Sequence, residues 1–304
     1  MSRIHEALQK AQQERAVMLQ VDAAGMPHES ASAETAGGDS ALAAATNFHM
    51  HATVVAPLPV NSLQFSEIAA RCAHPQWHLD PKENVFLNAD SSSHGAEQLR
   101  TLRSRLYQLR SNQPLQTILI TSSLPAEGKT FLANNWAQVL VRKSDCHVLM
   151  IDADLRRSRL HVPLGAPVTP GLADYLRGDA DEMAVVQLGQ EGNLCLISGG
   201  NPVADPSELL SNGRLKTLLD RLKSAFDWII VDSPPCLPVA DANGLADLCD
   251  GVLLIVRAGS TPSEVAQKSC KELQGKNILG VVLNAVEKNH SNSNYYGEYG
   301  YTRK

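Results

Sequence analysis

Six short, unbroken apolar runs constrain the fold of this chain more than anything else in it. "QTILITS" (116–122), "HVLMID" (147–152), "NLCLIS" (193–198), "DWIIVD" (227–232), "GVLLIVR" (251–257) and "ILGVVLN" (278–284) show no polar alternation, so each reads as a strand covered on both faces. Between them, 129–143, 205–225 and 262–274 read as helices long enough for a right-handed crossover. Strands buried on both sides and joined by helices predict an α/β, doubly wound, mostly parallel sheet.

The first run leads straight into "SSLPAEGKTF", where Ser123 to Thr130 spell a phosphate-loop pattern with serine in place of the first glycine. The loop residues Ser123, Leu124, Pro125, Ala126, Glu127 and Gly128 are followed by Lys129, Thr130 and Phe131 at a helix start. Unpaired amides and the helix dipole favour the negative charge of phosphates at such a junction. Lys129 is expected to reach the β- and γ-phosphates of ATP, and the Thr130 hydroxyl to ligate Mg2+. A glycine-containing turn with no ligand is the plain alternative, and the strand–loop–helix setting speaks against it.

Two other runs end in carboxylates. Asp152 and Asp154 in "LMIDADLRRSR", and Asp232 in "WIIVDSPP", fall at the carboxyl ends of strands, where open α/β sheets bind their ligands. Asp232 stands where a carboxylate steadies the metal, directly or through water, or else it caps the next segment. Asp152 and Asp154 either face the nucleotide together or cap a solvated turn.

The rest of the 304 residues divides into zones. Residues 1–20 suit a short helix, either a docking element or a frayed start. Residues 21–93 are rich in Ala, Ser, Gly, Pro and His and read as a largely disordered linker. Residues 94–290 carry the nucleotide-binding domain, and 291–304 a tail. A formal charge of -5 with 19% charged residues lacks the basic excess of a nucleic-acid binder. Six cysteines without CxxC spacing suit a reducing compartment, and no apolar run reaches the ~18 residues of a membrane span. Cys72, His74 and His78, or His49 and His51, lack the second ligand pair that a metal site needs.

Taken together, S-x-x-x-x-G-K-T, a strand ending D-x-D-x-R (Asp152, Asp154, Arg156) and a strand ending D-x-x-P (Asp232, Pro235) resemble the bacterial tyrosine kinases, over about residues 94–301. The resemblance implies a phosphate-loop NTPase fold of the MinD/ParA-like kind and a cytoplasmic protein-tyrosine autokinase of capsule and exopolysaccharide synthesis, using ATP and Mg2+. The opening "MSRIHEALQKA" and the length are similar to the subgroup encoded with exosortase-linked systems. The family implies a separate, membrane-spanning chain-length-determinant partner that activates the kinase and recruits it to the inner face of the membrane, and an opposing tyrosine phosphatase. "EQLRTLR" matches the family's E-x-x-R-x-x-R element through Glu97, Arg100 and Arg103, implying a homo-oligomeric ring in which one tail enters the next active site. At helical spacing the same residues also simply pair with one another. Asn284 stands where related ATPases contact adenine, or closes a strand-end turn. Two departures stand out: Ala126 replaces a frequent glycine, and Ser158 a proline common after the paired arginines.

The resemblance gives the tail a task. "SNSNYYGEYGYTRK" holds Tyr295, Tyr296, Tyr299 and Tyr301, four of the chain's 6 tyrosines, in a stretch with no apolar period. The ten or so residues from Asn284 to Tyr295 can extend roughly 35 Å, enough for these hydroxyls to reach an active site, their own or a neighbour's. A phenol with a pKa of about 10 must lose its proton as it attacks phosphorus, and Asp152 is assigned as acceptor, with Asp154 helping to hold metal or water. Thr130, Asp152 and Asp232 form the expected metal side. The competing readings are a MinD/ParA-type switch, whose early loop lysine is replaced here by Ser123 or Leu124, and a catalytically idle scaffold. Four phosphotyrosines would add about -6 to -8 charges per subunit. Phosphorylation is therefore expected to loosen the oligomer, and an assembly mass unchanged by phosphatase treatment would rule this out.

Overall fold

The computed structural model describes residues 63–87, 93–143 and 145–286. Residues 1–20, with their expected helix, and the tail tyrosines lie outside them. Within the described residues seven strands form one sheet: β1 (Thr117–Ser122), β2 (Val148–Asp152), β3 (Val186–Leu188), β4 (Leu194–Ile197), β5 (Trp228–Asp232), β6 (Gly251–Arg257) and β7 (Ile278–Asn284). Their order is β3-β4-β2-β5-β1-β6-β7. All neighbours are parallel except β3 and β4. The six apolar runs are thus strands, each starting within one residue of its expected bound.

Nine helices accompany the sheet among the described residues: α1 (Phe65–Arg71), α2 (His94–Arg110), α3 (Lys129–Leu140), α4 (Leu172–Arg177), α5 (Glu182–Val185), α6 (Pro206–Ser211), α7 (Arg214–Leu222), α8 (Asp241–Ala246) and α9 (Ser263–Glu272). Every residue of β1, β2, β4 and β5 is buried because helices cover both faces. On one face Leu119, Leu149 and Ile151 meet Leu215, Leu218 and Leu222 of α7. On the other, Ile118, Ile120, Met150 and Ile230 meet Leu106 of α2 and Ala133, Trp136 and Leu140 of α3. Successive strand residues point to opposite faces, so continuous apolar runs are what this layering demands. The helix expected over 205–225 is two, because Gly213 turns into the left-handed region at φ 82° and ends one helix before the next begins.

The linker reading of 21–93 is corrected over 63–87. Ile68 of α1 is fully buried and, with Leu63 and Cys72, joins the α7 face of the core, while Trp77 is buried against the other. Ala73 bridges Gln187 of β3 in parallel, and Asn135 of α3 accepts a 2.8 Å hydrogen bond from the Val85 amide. These apolar residues are too sparse to show a period, since they complete an existing surface instead of forming a core of their own. His74 Nε2 lies 2.7 Å from the Ala69 carbonyl, so its ring serves the chain itself. No helix of the described residues is long and apolar enough to cross a membrane.

Replacing Ile68 by alanine should cost about 2–5 kcal/mol in equilibrium denaturation, as for other buried isoleucines. A loss within ~0.5 kcal/mol would return the segment to linker status.

Candidate active site

The phosphate loop leaves β1 and curls back into α3. Ser122 Oγ donates to the Leu124 carbonyl at 2.8 Å, and the backbone turns left-handed twice, at Ala126 (φ 64°) and at Gly128 (φ 94°), the cap of α3. Glycine is required at the second turn, because a Cβ on Gly128 would lie 2.0 Å from Asn284 Nδ2. Alanine at the first is strained by roughly 1–2 kcal/mol, which gives the Ala126 departure a definite local cost.

Parallel pairing sets Asp152 and Asp232 opposite each other at the ends of adjacent strands β2 and β5. From the start of α3, beside them, Lys129 Nζ lies 2.8 Å from Asp154 Oδ2 and the Thr130 hydroxyl donates to Asp232 Oδ2 at 2.6 Å. The lysine and its three carboxylates therefore converge at the carboxyl edge of the sheet. Their parts differ, however. Asp152 Oδ2 accepts from Ser158 Oγ (2.8 Å) and from the amides of Arg159 and Leu160 (2.9 Å each), while its Oδ1 accepts from the Asp154 amide (3.2 Å). Asp152 thus anchors the turn that carries Asp154. Ser158, the second departure, supplies a hydroxyl there that proline could not.

Burial governs the charge states. It raises the Asp152 carboxyl to about 7, with the neighbouring Asp232 charge adding to the effect. Asp232 rises to about 6, burial again dominating, while Lys129 and the Thr130 hydroxyl hold it down. Burial also opposes charge on Lys129, but Asp232 and Asp154 more than reverse this and leave its pKa above the ordinary value. The ammonium is therefore kept at neutral pH.

Magnesium fits these residues. Asp232 Oδ1 and Ser123 Oγ are buried polar atoms without a protein partner, at the mouth of a helix that favours anions. Among the described residues no three His, Cys, Asp or Glu side chains form a metal cage. Magnesium is commonly held by one or two protein groups together with phosphates and water, and Thr130 and Asp232 offer such a pair.

Other expected site residues are more dispersed. Asn284 donates to the Glu127 carbonyl at 2.9 Å, so it braces the loop from the end of β7. On α2, Glu97 and Arg100 pair at 3.0 Å, and Arg103 donates to the Val139 carbonyl of α3 at 2.9 Å. Arg156 holds Asp241 through two bonds of 2.7 and 3.3 Å and also donates to Ser207 Oγ, which itself donates to Asp241. No sequence signal points to Asp241 or Ser207 as its partners, since both are distant in the chain. A surface groove of about 350 Å³ lined by Tyr107, Arg110, Lys143, Cys146 and Asp227 lies at the opposite, amino edge of the sheet, away from this chemistry.

No family model matches the chain. Tyrosine-protein kinase YwqD of Bacillus subtilis (strain 168) is 33% identical over 219 residues, 71% of this chain and 92% of that protein. Tyrosine-protein kinase etk of Escherichia coli (strain K12) is 35% identical over 218 residues, 71% of this chain but only 30% of its own length. The solved kinase domain of Escherichia coli tyrosine kinase ETK is similar with a TM-score of 0.65 and 32% identity, covering 80% of this chain and 94% of that one.

The raised carboxyls carry a pH signature. A carboxyl whose folded pKa exceeds the ordinary value near 4 contributes stability that is complete below about pH 4 and is lost as the pH rises through the folded pKa. With Asp152 at about 7 and Asp232 at about 6, that loss falls mainly between about pH 4 and 8. Thermal melts of nucleotide- and metal-free protein should show this component, and Asp232→Asn should flatten it. A variant profile parallel to that of the wild type would contradict the assignment.

Proposed function

Because the chain belongs to the bacterial tyrosine-protein kinases, we propose that it is an ATP-dependent autokinase whose phosphoacceptors are Tyr295, Tyr296, Tyr299 and Tyr301. The observation that carries this reading is the meeting of Lys129, Thr130, Asp152, Asp154 and Asp232 beside a twice left-handed loop. Lys129 and the loop amides hold the triphosphate, the lysine exchanging Asp154 for phosphate oxygens. Thr130 and Asp232, with Asp152 on the same side, would hold the magnesium, which would supply charge neutralisation of the γ-phosphate.

Transfer forms a bond from the tyrosine oxygen to the γ-phosphorus, breaks the bond from that phosphorus to ADP, and sends the phenol proton to a carboxylate. A carboxyl poised near neutral pH suits that task, which supports Asp152 as acceptor; its Oδ1, taking a single 3.2 Å bond, is the less engaged oxygen. Asp154, released by Lys129, then holds water or metal. Full autophosphorylation in Asp152→Asn with loss in Asp154→Asn would exchange the two roles.

The proposed setting is the polymerisation and export of exopolysaccharide. There a membrane-spanning chain-length-determinant partner activates the kinase at the inner face of the membrane, and a tyrosine phosphatase reverses it. Assembly into a homo-oligomer is proposed to use Glu97, Arg100 and Arg103 of α2, where the Glu97 side chain is 64% exposed. The described body from Leu63 onward, with the domain reaching to about 290, is proposed as the kinase unit.

Incubating the full chain with ATP and Mg2+ should place phosphate on the last tryptic fragment, read by mass spectrometry. Lys129→Ala should slow this by about 10²–10³-fold, the loss typical of one charge-stabilising donor. ATP hydrolysis without phosphotyrosine would favour a switch ATPase instead.

A further inference from the structure

Glu127 sits inside the phosphate loop, yet the structure engages its side chain on the side of β1 remote from the aspartates. The residue is 2% exposed. Its Oε2 accepts from the Leu124 amide at 2.7 Å, and its Oε1 accepts from the Thr261 hydroxyl and from the Arg257 amide at 3.3 Å. The adjoining backbone is held from the same side: Asn284 donates to the Glu127 carbonyl at 2.9 Å, and the Arg257 guanidinium to the Ala126 carbonyl at 3.4 Å. The supporting segment is itself closed, with the Ala258 amide bonded to the Asn284 carbonyl and the Thr261 amide to the Arg257 carbonyl. One residue thus ties the loop to the ends of β6 and β7 and to the turn entering α9.

The donor set calls for a carboxylate. Two amides and a hydroxyl face the two oxygens, and a glutamine would offer one oxygen and set an NH2 group against a donor. The bond to Leu124 also spans the left-handed turn at Ala126, so the carboxylate stabilises a loop shape that alanine alone disfavours. We infer that Glu127 is a positioning residue for nucleotide binding, coupling the segment 257–261 to the shape of the phosphate loop. The inference rests on the kinase reading above, in that the loop must hold the triphosphate of ATP. Its contacts lie away from Asp154 and Asp232, so its influence falls on ATP affinity more than on the transfer step.

The test uses full-length wild type, Glu127→Gln, Thr261→Val, Thr261→Ser and the Gln–Val double variant. ATP affinity with Mg2+ is measured by titration calorimetry, KM and kcat by autophosphorylation, and folding by thermal melting. Glu127→Gln should weaken ATP binding and raise KM about tenfold, equivalent to ~1.4 kcal/mol, with a smaller change in kcat. Thr261→Val should weaken binding severalfold and Thr261→Ser should restore it. The double variant should match Glu127→Gln alone, because both changes break the same bond. Wild-type affinity in folded Glu127→Gln, with only the melting point lowered, would make the residue a brace for stability and overturn the inference, as would fully additive losses. If Glu127→Gln does not fold, equal affinities of the valine and serine variants overturn it. Failure of the wild type to bind ATP would instead sink the kinase reading itself.

Discussion

Two carboxylates shut away from water at the ends of neighbouring strands are the arrangement on which this site depends. Asp152 and Asp232 are paired in register and are 0% and 1% exposed, so ionising either is opposed first by the loss of hydration and then by the neighbouring charge. Burial displaces both carboxyls toward neutral pH, and neighbouring charge adds to it, that of Asp232 at Asp152 and that of Asp154 at Asp232, while Lys129 offsets part of the rise at Asp232. The surrounding geometry follows from containing them. The first residues of α3 must lie at this edge so that Lys129 and Thr130 can reach them, which forces the loop from β1 to curl tightly enough to need left-handed backbone. The turn after β2 must fold back so that its hydroxyl and amides can solvate Asp152.

That logic explains what could be read from the residues alone. Strands buried on both faces announce themselves as unbroken apolar runs, and their parallel register carries any residue at a strand end to one edge, so Lys129, Thr130, Asp154 and Asp232 were bound to be neighbours. The role of Asp152 as anchor was not legible, because three of its four donors are backbone amides, which are the same in every sequence. The Arg156–Asp241–Ser207 knot was hidden for a different reason: it joins three segments whose approach depends on the packing of α6 against α8. β3 was missed since three residues show no period, and the segment 63–87 because its few apolar residues borrow a core built by others. The break at Gly213, by contrast, was written in "SNG", a helix-ending signal that the long leucine pattern of α7 overshadowed.

The two departures from the family pattern acquire opposite meanings in the structure. Ser158 is an addition: its hydroxyl is one of the four donors that solvate Asp152, and its neighbour Gly199 leaves room for it, since a Cβ there would lie 2.4 Å from Ser158 Oγ. Ala126 is a burden, an L-residue held at φ 64° in a turn that glycine adopts freely. The burden is tolerable only because the surrounding bonds over-determine the turn. Its own carbonyl is held by Arg257, and the next residue contributes a carboxylate that clamps the amide on the turn's far side.

Strand order then separates two kinds of work. β5 and β2 lie on one side of β1 and supply the carboxylates that face Lys129 and Thr130; β6 and β7 lie on the other and supply the bonds that shape the loop. The loop and the first residues of α3 are bonded to both sides, and Lys129 follows Glu127 by two residues. A change in the turn near Thr261 therefore acts on the lysine through backbone geometry, without adding or removing any charge beside the phosphates. Substitutions on the two sides of β1 are for that reason separable: those at β2 and β5 alter the charge around Lys129, while those at β6 and β7 alter how well the loop is already formed.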